Sequence, residues 1–310
     1  MKYGWRRKNS KTCESWHARF LAEKTTTVYN RNVVRGIDFL IFWLYVNFSS
    51  IMLAFQTPAS DGFTLVNFQN LFAEFGRKDS VITSGLVNTL KFFAVSLLVI
   101  TPLSLIFSYF LYKKIRGYRI FRIIFFFPSI ISVVVLTSLY SYMVATDGII
   151  TKIIMAIFNM DKAPVLMGES RYALNTIIGY CIWTGFGVNI VLFNGAMARI
   201  PYDIIEYDQL EGVGFARELF QIVVPMIWPT ISTILVLGVV GLFNSSGPIL
   251  FFTMGQHDTY TISYWIFEQV YIKSVYEYAS AVGIFFTIIG LPIVLVVKWL
   301  LDKVGTDIEY

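Results

Sequence analysis

Six long runs of apolar residues, separated by shorter polar stretches, form the main pattern along this 310-residue chain. Each run approaches the roughly 20 residues that a helix needs to cross a lipid bilayer. Because backbone groups in lipid must find hydrogen-bond partners within their own segment, we expect helices rather than open strands. The predicted fold class is an all-α polytopic membrane protein with six transmembrane helices, over residues 37–55, 87–111, 121–144, 172–197, 227–244 and 279–301.

Two further stretches do not fit this pattern. Residues 149–158 are apolar but too short to cross a bilayer, and we expect them at the outer surface. Residues 260–278 are aromatic and mixed in character, which is typical of a re-entrant or surface segment beside a pathway and equally of an aromatic belt. The sequence leaves both interpretations of this second stretch open.

The composition agrees with a lipid environment. Hydrophobic residues make up 56% of the chain and charged residues 15%, with a mean hydropathy of +0.63. Soluble domains carry about 25% charged residues. The net charge of +5 does not indicate a nucleic-acid partner, because the basic residues crowd beside the apolar runs.

The basic residues also predict an orientation. They are frequent before the first run and in the loop after the second, and sparse in the loops after the first and third. Since positive loops stay in the cytoplasm, both termini are expected there, as is the loop between the fourth and fifth runs. The loop after the second run contributes Lys113, Lys114, Arg116 and Arg119.

No pattern in the chain indicates covalent chemistry. The two cysteines, Cys13 and Cys181, lie in the basic tail and in an apolar run, so no disulfide is expected. A metal-ligand cluster and a G-x-x-x-x-G-K-[ST] phosphate loop are both missing from the sequence, and no cofactor is predicted. The first apolar run starts after a long polar tail and reads as an uncleaved span rather than a signal peptide.

The loop over residues 199–225 carries the most specific pattern. Pro201 and Asp203 are typical of the first turn of a helix, and Gly212 is a natural stop because it tolerates a left-handed backbone. A second short helix is predicted from Phe215 to about residue 221, before Pro225 opens the next span. The apolar side chains of this helix pair need a covering surface, and its acidic side chains would suit a basic-rimmed groove.

The spacing in this loop resembles the "EAA" loop of permease subunits in binding-protein-dependent ABC importers. That pattern is Glu-Ala-Ala, three residues, Gly, nine residues, then Ile-x-Leu-Pro. Glu206, Gly212, Ile222 and Pro225 stand at the required separations. The departures are Tyr207 and Asp208 for the two alanines, Val224 for leucine, and Glu211 and Val213 beside the glycine.

Other segments extend the resemblance from about residue 84 to the C-terminus. Asn88-Thr89-Leu90, Phe126-Phe127-Pro128 and Tyr278-Ala279-Ser280-Ala281 are similar to family segments at the corresponding spans. The branch that they resemble most is the carbohydrate-uptake branch related to maltose and glycerol-phosphate permeases.

The resemblance implies a type I ABC importer permease fold in the cell membrane of a prokaryote. It divides the chain into a basic cytoplasmic tail (1–36), a first transmembrane helix with an extracytoplasmic loop (37–83) and a permease core (84–310). The implied partners are a second homologous permease, a cytoplasmic ATPase dimer, an extracytoplasmic solute-binding protein, a carbohydrate substrate and the lipid bilayer. ATP hydrolysis would belong to the separate subunit, so this chain is not expected to be an enzyme. The residues implied in ATPase coupling are Asp203, Glu206, Asp208, Leu210, Glu211, Gly212, Val213, Phe215, Ile222 and Pro225.

A neutral, hydroxyl-rich substrate suits a path of aromatic and amide side chains. Tyr180, Trp183 and Asn194 fall within a narrow arc of the fourth span at helical spacing. Tyr140 on the third span and Asn244 at the end of the fifth are further candidates. The same residue types also pack helices against one another, and helix packing stays open as an explanation for each of them.

Two other classes of function are weighed against the importer. An ion-coupled carrier of a small neutral solute usually needs acidic or histidine side chains within the membrane, and the middles of the six runs lack them. A sodium site made of carbonyl groups needs no acidic or histidine side chain, so the ion-coupled carrier stays an alternative. An intramembrane serine protease needs a histidine base in the membrane, but His17 and His257 lie outside the runs.

Overall fold

The structure is a computed structural model that describes residues 38–57, 62–77, 79–201, 203–204, 212–243 and 247–305. Its regular elements in these ranges are helices, which confirms the all-α fold class. The helices are α1 (Phe39–Ala54), α2 (Val66–Phe75), α3 (Val81–Tyr112), α4 (Tyr118–Ile130), α5 (Val133–Val144), α6 (Ile149–Phe158), α7 (Ser170–Met197), α8 (Phe215–Met226), α9 (Trp228–Val240), α10 (Gly247–Phe252), α11 (Ile262–Phe267, continued by a π-helical turn over Glu268–Ile272) and α12 (Tyr276–Val304).

Within the described ranges, four apolar runs are long enough to cross a membrane: α3, α5 with α6, α7, and α12. The pair α8 and α9 gives a fifth, bent by 77°, and α1 is a shorter apolar helix. Large apolar side chains such as Phe42, Ile288 and Leu291 point away from the protein on these helices. Such surfaces are stable against lipid rather than water.

The stretch over 121–144, predicted as one of the six spans, is made of two helices rather than one. The helix α4 ends at Ile130, Ile131 and Ser132 have extended backbones with ψ of 143° and 136°, and α5 begins at Val133. Pro128 removes an amide donor in the last turn of α4, which weakens the helix at this point. Ser132 then takes the cap position of α5, where serine is favoured.

The segment 149–158 follows α5 closely. The turn between α5 and α6 is closed by the amide of Gly148, which donates to the carbonyl of Ala145 at 2.8 Å. The hydroxyl of Thr151 donates to the carbonyl of Val144 at 3.0 Å. Residues 133–158 together are long and apolar enough for one span. The location of 149–158 at the outer surface stays a prediction.

The helix α7 lies at the centre and contacts α3, α4, α9 and α10. Close approach depends on its small residues: a carbon added at Gly185 would lie 3.0 Å from Ile100, and one at Gly187 would overlap Ser129. The hydroxyl of Ser108 on α3 donates to the carbonyl of Ile190 on α7 at 3.3 Å. Small residues and interhelical hydrogen bonds are the usual means of helix association in lipid.

The helix bundle has two ends. The basic end is where α3, α7 and α12 end and where α4 and α9 begin. There the indole nitrogen of Trp228 donates to the carbonyl of Leu301 at 3.1 Å. At the opposite end α2, the start of α3, α11 and α12 share a core that includes Leu71, Ile82 and Trp265. Within the segment 260–278, α11 is packed inside the protein, whereas residues 271–276 are exposed.

We predict that Gly187→Ala lowers the apparent melting temperature of the purified protein in detergent. The added methyl group would overlap the Ser129 hydroxyl and lie 3.3 Å from the Phe125 carbonyl. Overpacking of this kind costs roughly 1–3 kcal/mol.

Gly195→Ala on the same helix is the matched control, because nothing lies within 4 Å of its added carbon. Adding Ser129→Ala to Gly187→Ala should restore part of the loss. Equal melting temperatures for the Gly187 and Gly195 variants would contradict the close contact of α4 and α7.

Candidate functional site

The predicted coupling loop lies at the basic end, and the structure describes only part of it. Asp203 and Gly212 are exposed, while Val213, Ile222 and Pro225 are partly buried. Four of the predicted residues lie outside the described ranges: Glu206, Asp208, Leu210 and Glu211.

Gly212 has the left-handed backbone that the sequence predicts, with a φ of 67°. A carbon added at Gly212 would meet nothing within 4 Å, so that the constraint comes from the backbone alone. The chain becomes extended at Gly214, with ψ of 155°, and α8 begins at the next residue. The glycine therefore separates the exposed part of the loop from α8.

The second helix of the loop is longer than predicted. It runs from Phe215 to Met226, with a π-helical turn over Leu219–Val223, so that Pro225 lies in its last turn. The prediction that Pro225 opens the next span is wrong. Pro229 lies in the first turn of α9 and has no amide to donate back into α8, and the two helices meet at a 77° bend around Ile227.

Aromatic contacts attach the start of α8 to the end of α3. The ring of Phe215 stacks on Phe110 at 5.1 Å with 7° between the planes, and meets the edge of Tyr109 at 5.1 Å. Such pairs add about 0.5–1.5 kcal/mol beyond the area that they bury. Phe215, which we expected to need a partner surface, is therefore half-covered by its own chain.

A buried ion pair lies beside these rings. The carboxylate of Glu218 contacts the ammonium group of Lys113, the residue that follows α3. Glu218 is only 5% exposed, and the Lys113 ammonium also lies 5.8 Å from the centre of the Tyr109 ring. Removing one partner of a buried pair typically costs roughly 3–5 kcal/mol, because the other charge is left without compensation.

The inner face of α8 completes a hydrophobic core at the basic end. Leu219 and Val223 are fully buried and pack with residues from the ends of α3 and α7 and the start of α9. The members from those helices are Tyr109, Phe193, Met197, Ile200, Ile227, Ile231 and Ile234. A displacement of α8 must therefore displace these three helices or break the core.

The structure brings together three of the five residues predicted for a substrate path. Tyr140 contacts Tyr180 at 5.3 Å and Trp183 at 6.1 Å between ring centres. Phe252, from α10, joins them at 4.9 Å from Tyr180. We call these four residues the aromatic cluster. The Tyr140 hydroxyl donates to the carbonyl of Thr176 at 2.9 Å, so that its polar atom is satisfied within the protein.

Burial separates the members of the aromatic cluster. Tyr140 and Tyr180 are buried, which agrees with the packing explanation for these two. Trp183 keeps part of its ring exposed. A cavity of about 650 Å³ opens beside Tyr140 between α5, α6 and α7, with Arg171 and Asn175 among its polar lining residues.

The two asparagines are not part of the aromatic cluster. Asn194 lies eleven residues after Trp183, about 16 Å further along α7. Its amide donates to the carbonyl of Ile190 on its own helix at 2.9 Å. Asn244 lies outside the described residues.

Sequence reasoning missed three residues in these regions. In the sequence analysis, Lys113 was noted only as one of the charges of a basic loop. Glu218 is the one acidic residue in the α8 sequence, and its position in this largely apolar segment could have identified it as a candidate for a buried ion pair. Phe252 carried no signal, because its position depends on the turn between α9 and α10.

Comparison with known proteins identifies the family. Residues 100–309 match the family described as binding-protein-dependent transport system inner membrane component. This is about two thirds of the chain, and the chain belongs to this family. It is therefore a membrane-embedded permease subunit of an ABC importer and not an enzyme, and the protease interpretation is wrong.

Similar curated proteins are permeases of bacterial transport systems. The lactose transport system permease protein LacF of Rhizobium radiobacter is 24% identical over 78% of this chain and 83% of its own length. The arabinooligosaccharides permease AraP of Bacillus subtilis is 21% identical over 84% of this chain and 83% of its own length. The polygalacturonan/rhamnogalacturonan permease YteP of Bacillus subtilis is 22% identical over 89% of this chain and 88% of its own length.

Solved structures share the fold. A chain of a bacterial ABC transporter involved in the import of the acidic polysaccharide alginate superposes with a TM-score of 0.79 at 20% identity, covering 94% of this chain and all of that chain. A bacterial alginate ABC transporter in complex with an alginate pentasaccharide-bound periplasmic protein gives a TM-score of 0.78 at 21% identity, covering 92% of this chain and 96% of that one.

We predict that Gly212→Val exposes the loop before α8 to proteases. A β-branched residue at a φ of 67° is strained by roughly 1–2 kcal/mol. Limited proteolysis, with the cut sites read by mass spectrometry, should give faster cleavage between residues 199 and 215 than in the wild type.

Gly214→Val is the matched control, because Gly214 has a φ of −74° that any residue adopts and nothing within 4 Å of an added carbon. Gly212→Asn should fall between the two, since asparagine tolerates the left-handed region. Equal cleavage of the Gly212→Val and Gly214→Val variants would show that the backbone conformation at Gly212 does not order the loop.

Proposed function

We propose that this chain forms half of the translocation pore of an ATP-driven importer for a sugar or oligosaccharide. The other half is a second, homologous permease subunit. A cytoplasmic ATPase dimer supplies the energy, and an extracytoplasmic solute-binding protein delivers the substrate. Both termini and the basic end face the cytoplasm, in agreement with the basic residues of the loop after α3.

The observation that carries the coupling role is the attachment of α8. This helix is held to α3 by Phe215 and the Lys113–Glu218 pair, and to α7 and α9 by a common core. Asp203 and Gly212, which precede α8 in the loop, are exposed. A partner that binds the exposed part of the loop before α8 would move α8 and, with it, the helices α3, α7 and α9.

The spacing shared with the family supports an ATPase contact in the segment between Pro201 and Gly212. We propose that Glu206, Asp208 and Glu211 face the basic rim of a groove on the ATPase, while Leu210 and Val213 enter it. Ile222 and Pro225 do not touch the ATPase in this proposal. They belong to α8, the helix that moves when the ATPase contact moves. Asp203 extends the acidic surface of the loop. Phe215 attaches the loop to α3.

The substrate class follows from the relatives and the aromatic cluster together. The similar permeases serve lactose, arabinooligosaccharides and polygalacturonan in the systems for which they are named. Aromatic faces stack on sugar rings, and Trp183 offers such a face beside buried tyrosines. We propose Trp183 as the substrate contact, with Tyr140 and Tyr180 as its support and Asn194 and Asn244 as further path residues.

Family membership argues against the ion-coupled carrier. The family is defined by dependence on a binding protein, which an ion-coupled carrier does not need. A carrier would also couple uptake to an ion gradient rather than to nucleotide. This difference allows one experiment to separate the two classes.

The experiment measures uptake of a radiolabelled oligosaccharide into proteoliposomes that hold the purified complex, its ATPase and its binding protein. Uptake should require ATP at the ATPase side and be abolished by vanadate, while ionophores leave it unchanged. Trp183→Ala should raise the apparent KM by about 3–10-fold, which corresponds to the loss of one aromatic contact.

Trp43→Ala is the control for Trp183. Trp43 is another tryptophan, lies on the exposed face of α1, and should change neither uptake nor assembly. Uptake that is driven by an ion gradient and does not require ATP would contradict the proposed function. A loss of assembly without a change in KM for Trp183→Ala would assign Trp183 to packing.

A further inference from the structure

The helix α3 reaches from one end of the protein to the other. It is continuous over 32 residues, a length of about 48 Å. Its basic-end half packs along α7, and its other half contacts α11. A helix of this length can pass a displacement from one end of a bundle to the other if both of its ends are firmly attached.

The attachment at the basic end is the Lys113–Glu218 pair with the Phe215 stack. The buried Glu218 carboxylate has its charged partner, Lys113, directly after α3, so that any motion that separates α8 from α3 leaves a buried carboxylate without compensation. Apolar contacts alone would let the two helices slide, because they have little directional preference. The ion pair therefore fixes the register of α8 on α3.

The attachment at the opposite end is a set of side chains on α3 that bind the loop over residues 253–261. The amide of Asn88 donates to the carbonyl of Asp258 at 2.7 Å and to that of Tyr260 at 3.0 Å. The backbone amide of Ile262 donates to the hydroxyl of Thr89 at 3.1 Å. Asn88 and Thr89 are both buried.

The loop that these residues hold has an unusual backbone. Met254, His257 and Asp258 have φ values of 50°, 57° and 58°, in the left-handed region that side chains rarely adopt. Such a conformation persists only where surrounding contacts impose it, and residues of this kind cluster at ligand clamps and switch regions. The loop directly follows Phe252 of the aromatic cluster, so that its rearrangement would reach the substrate path.

We propose that α3 transmits the movement of the coupling loop to the loop over residues 253–261. Lys113 and Glu218 are the positioning residues at one end of α3, and Asn88 is the positioning residue at the other. This inference rests on the proposed function, since ATP hydrolysis is taken to move α8. It adds the route by which that movement reaches the far side of the pore.

The test measures how accessible the far loop is while nucleotide acts at the basic end. The full chain with Met254→Cys is purified with its associated subunits and treated with a maleimide, without nucleotide and with ATP and vanadate. Met254 is 62% exposed, which makes a cysteine there reachable. Mass spectrometry of the peptide that contains residue 254 gives the labelling rate independently of other cysteines.

In the otherwise unchanged protein, the labelling rate should differ between the two nucleotide conditions. Glu218→Gln, which keeps the shape and removes the charge, should reduce this difference by at least ~5-fold while the ATPase stays bound. Asn88→Ala should have the same effect from the other end. The exchange Lys113→Glu with Glu218→Lys should restore most of the response, which a purely structural defect would not allow.

Lys114→Met is the matched control, because Lys114 is the exposed neighbour of Lys113. An unchanged response in Glu218→Gln would overturn the inference, and so would loss of the bound ATPase, which would make the pair an assembly contact. A parent protein that hydrolyses ATP without any change in labelling at residue 254 would also overturn it. If no ATPase associates with the unchanged chain, the proposed function itself fails.

Discussion

The burial of α8 against the ends of α3 and α7 and the start of α9 attaches the proposed coupling loop to the rest of the protein. A loop that meets a partner can transmit force only if its far side is attached to the rest of the protein. Here the attachment combines apolar contacts of Leu219 and Val223, the aromatic stack of Phe215 and one buried ion pair. The 77° bend after α8 lets it lie across the ends of these helices instead of extending α9.

The bilayer limits where such a protein can depart from regular helix. Unpaired backbone groups are costly in lipid, so that breaks must be closed by side chains, by other helices or by the pathway. The break at Ile131 and Ser132 directly follows the part of α4 where Ser129 lies against Gly187 of α7. The irregular loop over residues 253–261 is likewise held by the amide of Asn88. Both departures from helix lie close to the aromatic cluster along the chain.

Local features could be read from the sequence, and relations between helices could not. The left-handed Gly212 and the start of α8 follow from turn chemistry and spacing within a few residues. The hydropathy pattern shows a single apolar run over 121–144, whereas the break depends on the missing amide of Pro128 and the cap position of Ser132. The three aromatic side chains of the predicted path meet because Tyr140 of α5 lies against Tyr180 and Trp183 of α7. Phe252 and the Lys113–Glu218 pair likewise join residues distant in sequence. Pattern alone also placed Pro225 at the start of a span, whereas the bend comes at Ile227, before Pro229.

The most direct measurement of the central claim is a cross-link between the exposed part of the coupling loop and an ATPase subunit. Asp203→Cys, at an exposed described position, is treated with a short cysteine-to-lysine cross-linker in native membranes. We predict a product with the ATPase whose yield changes with ATP, and none from Met254→Cys at the opposite end. Absence of that product, or equal yields from both positions, would contradict the claim that this loop joins the permease to its source of energy.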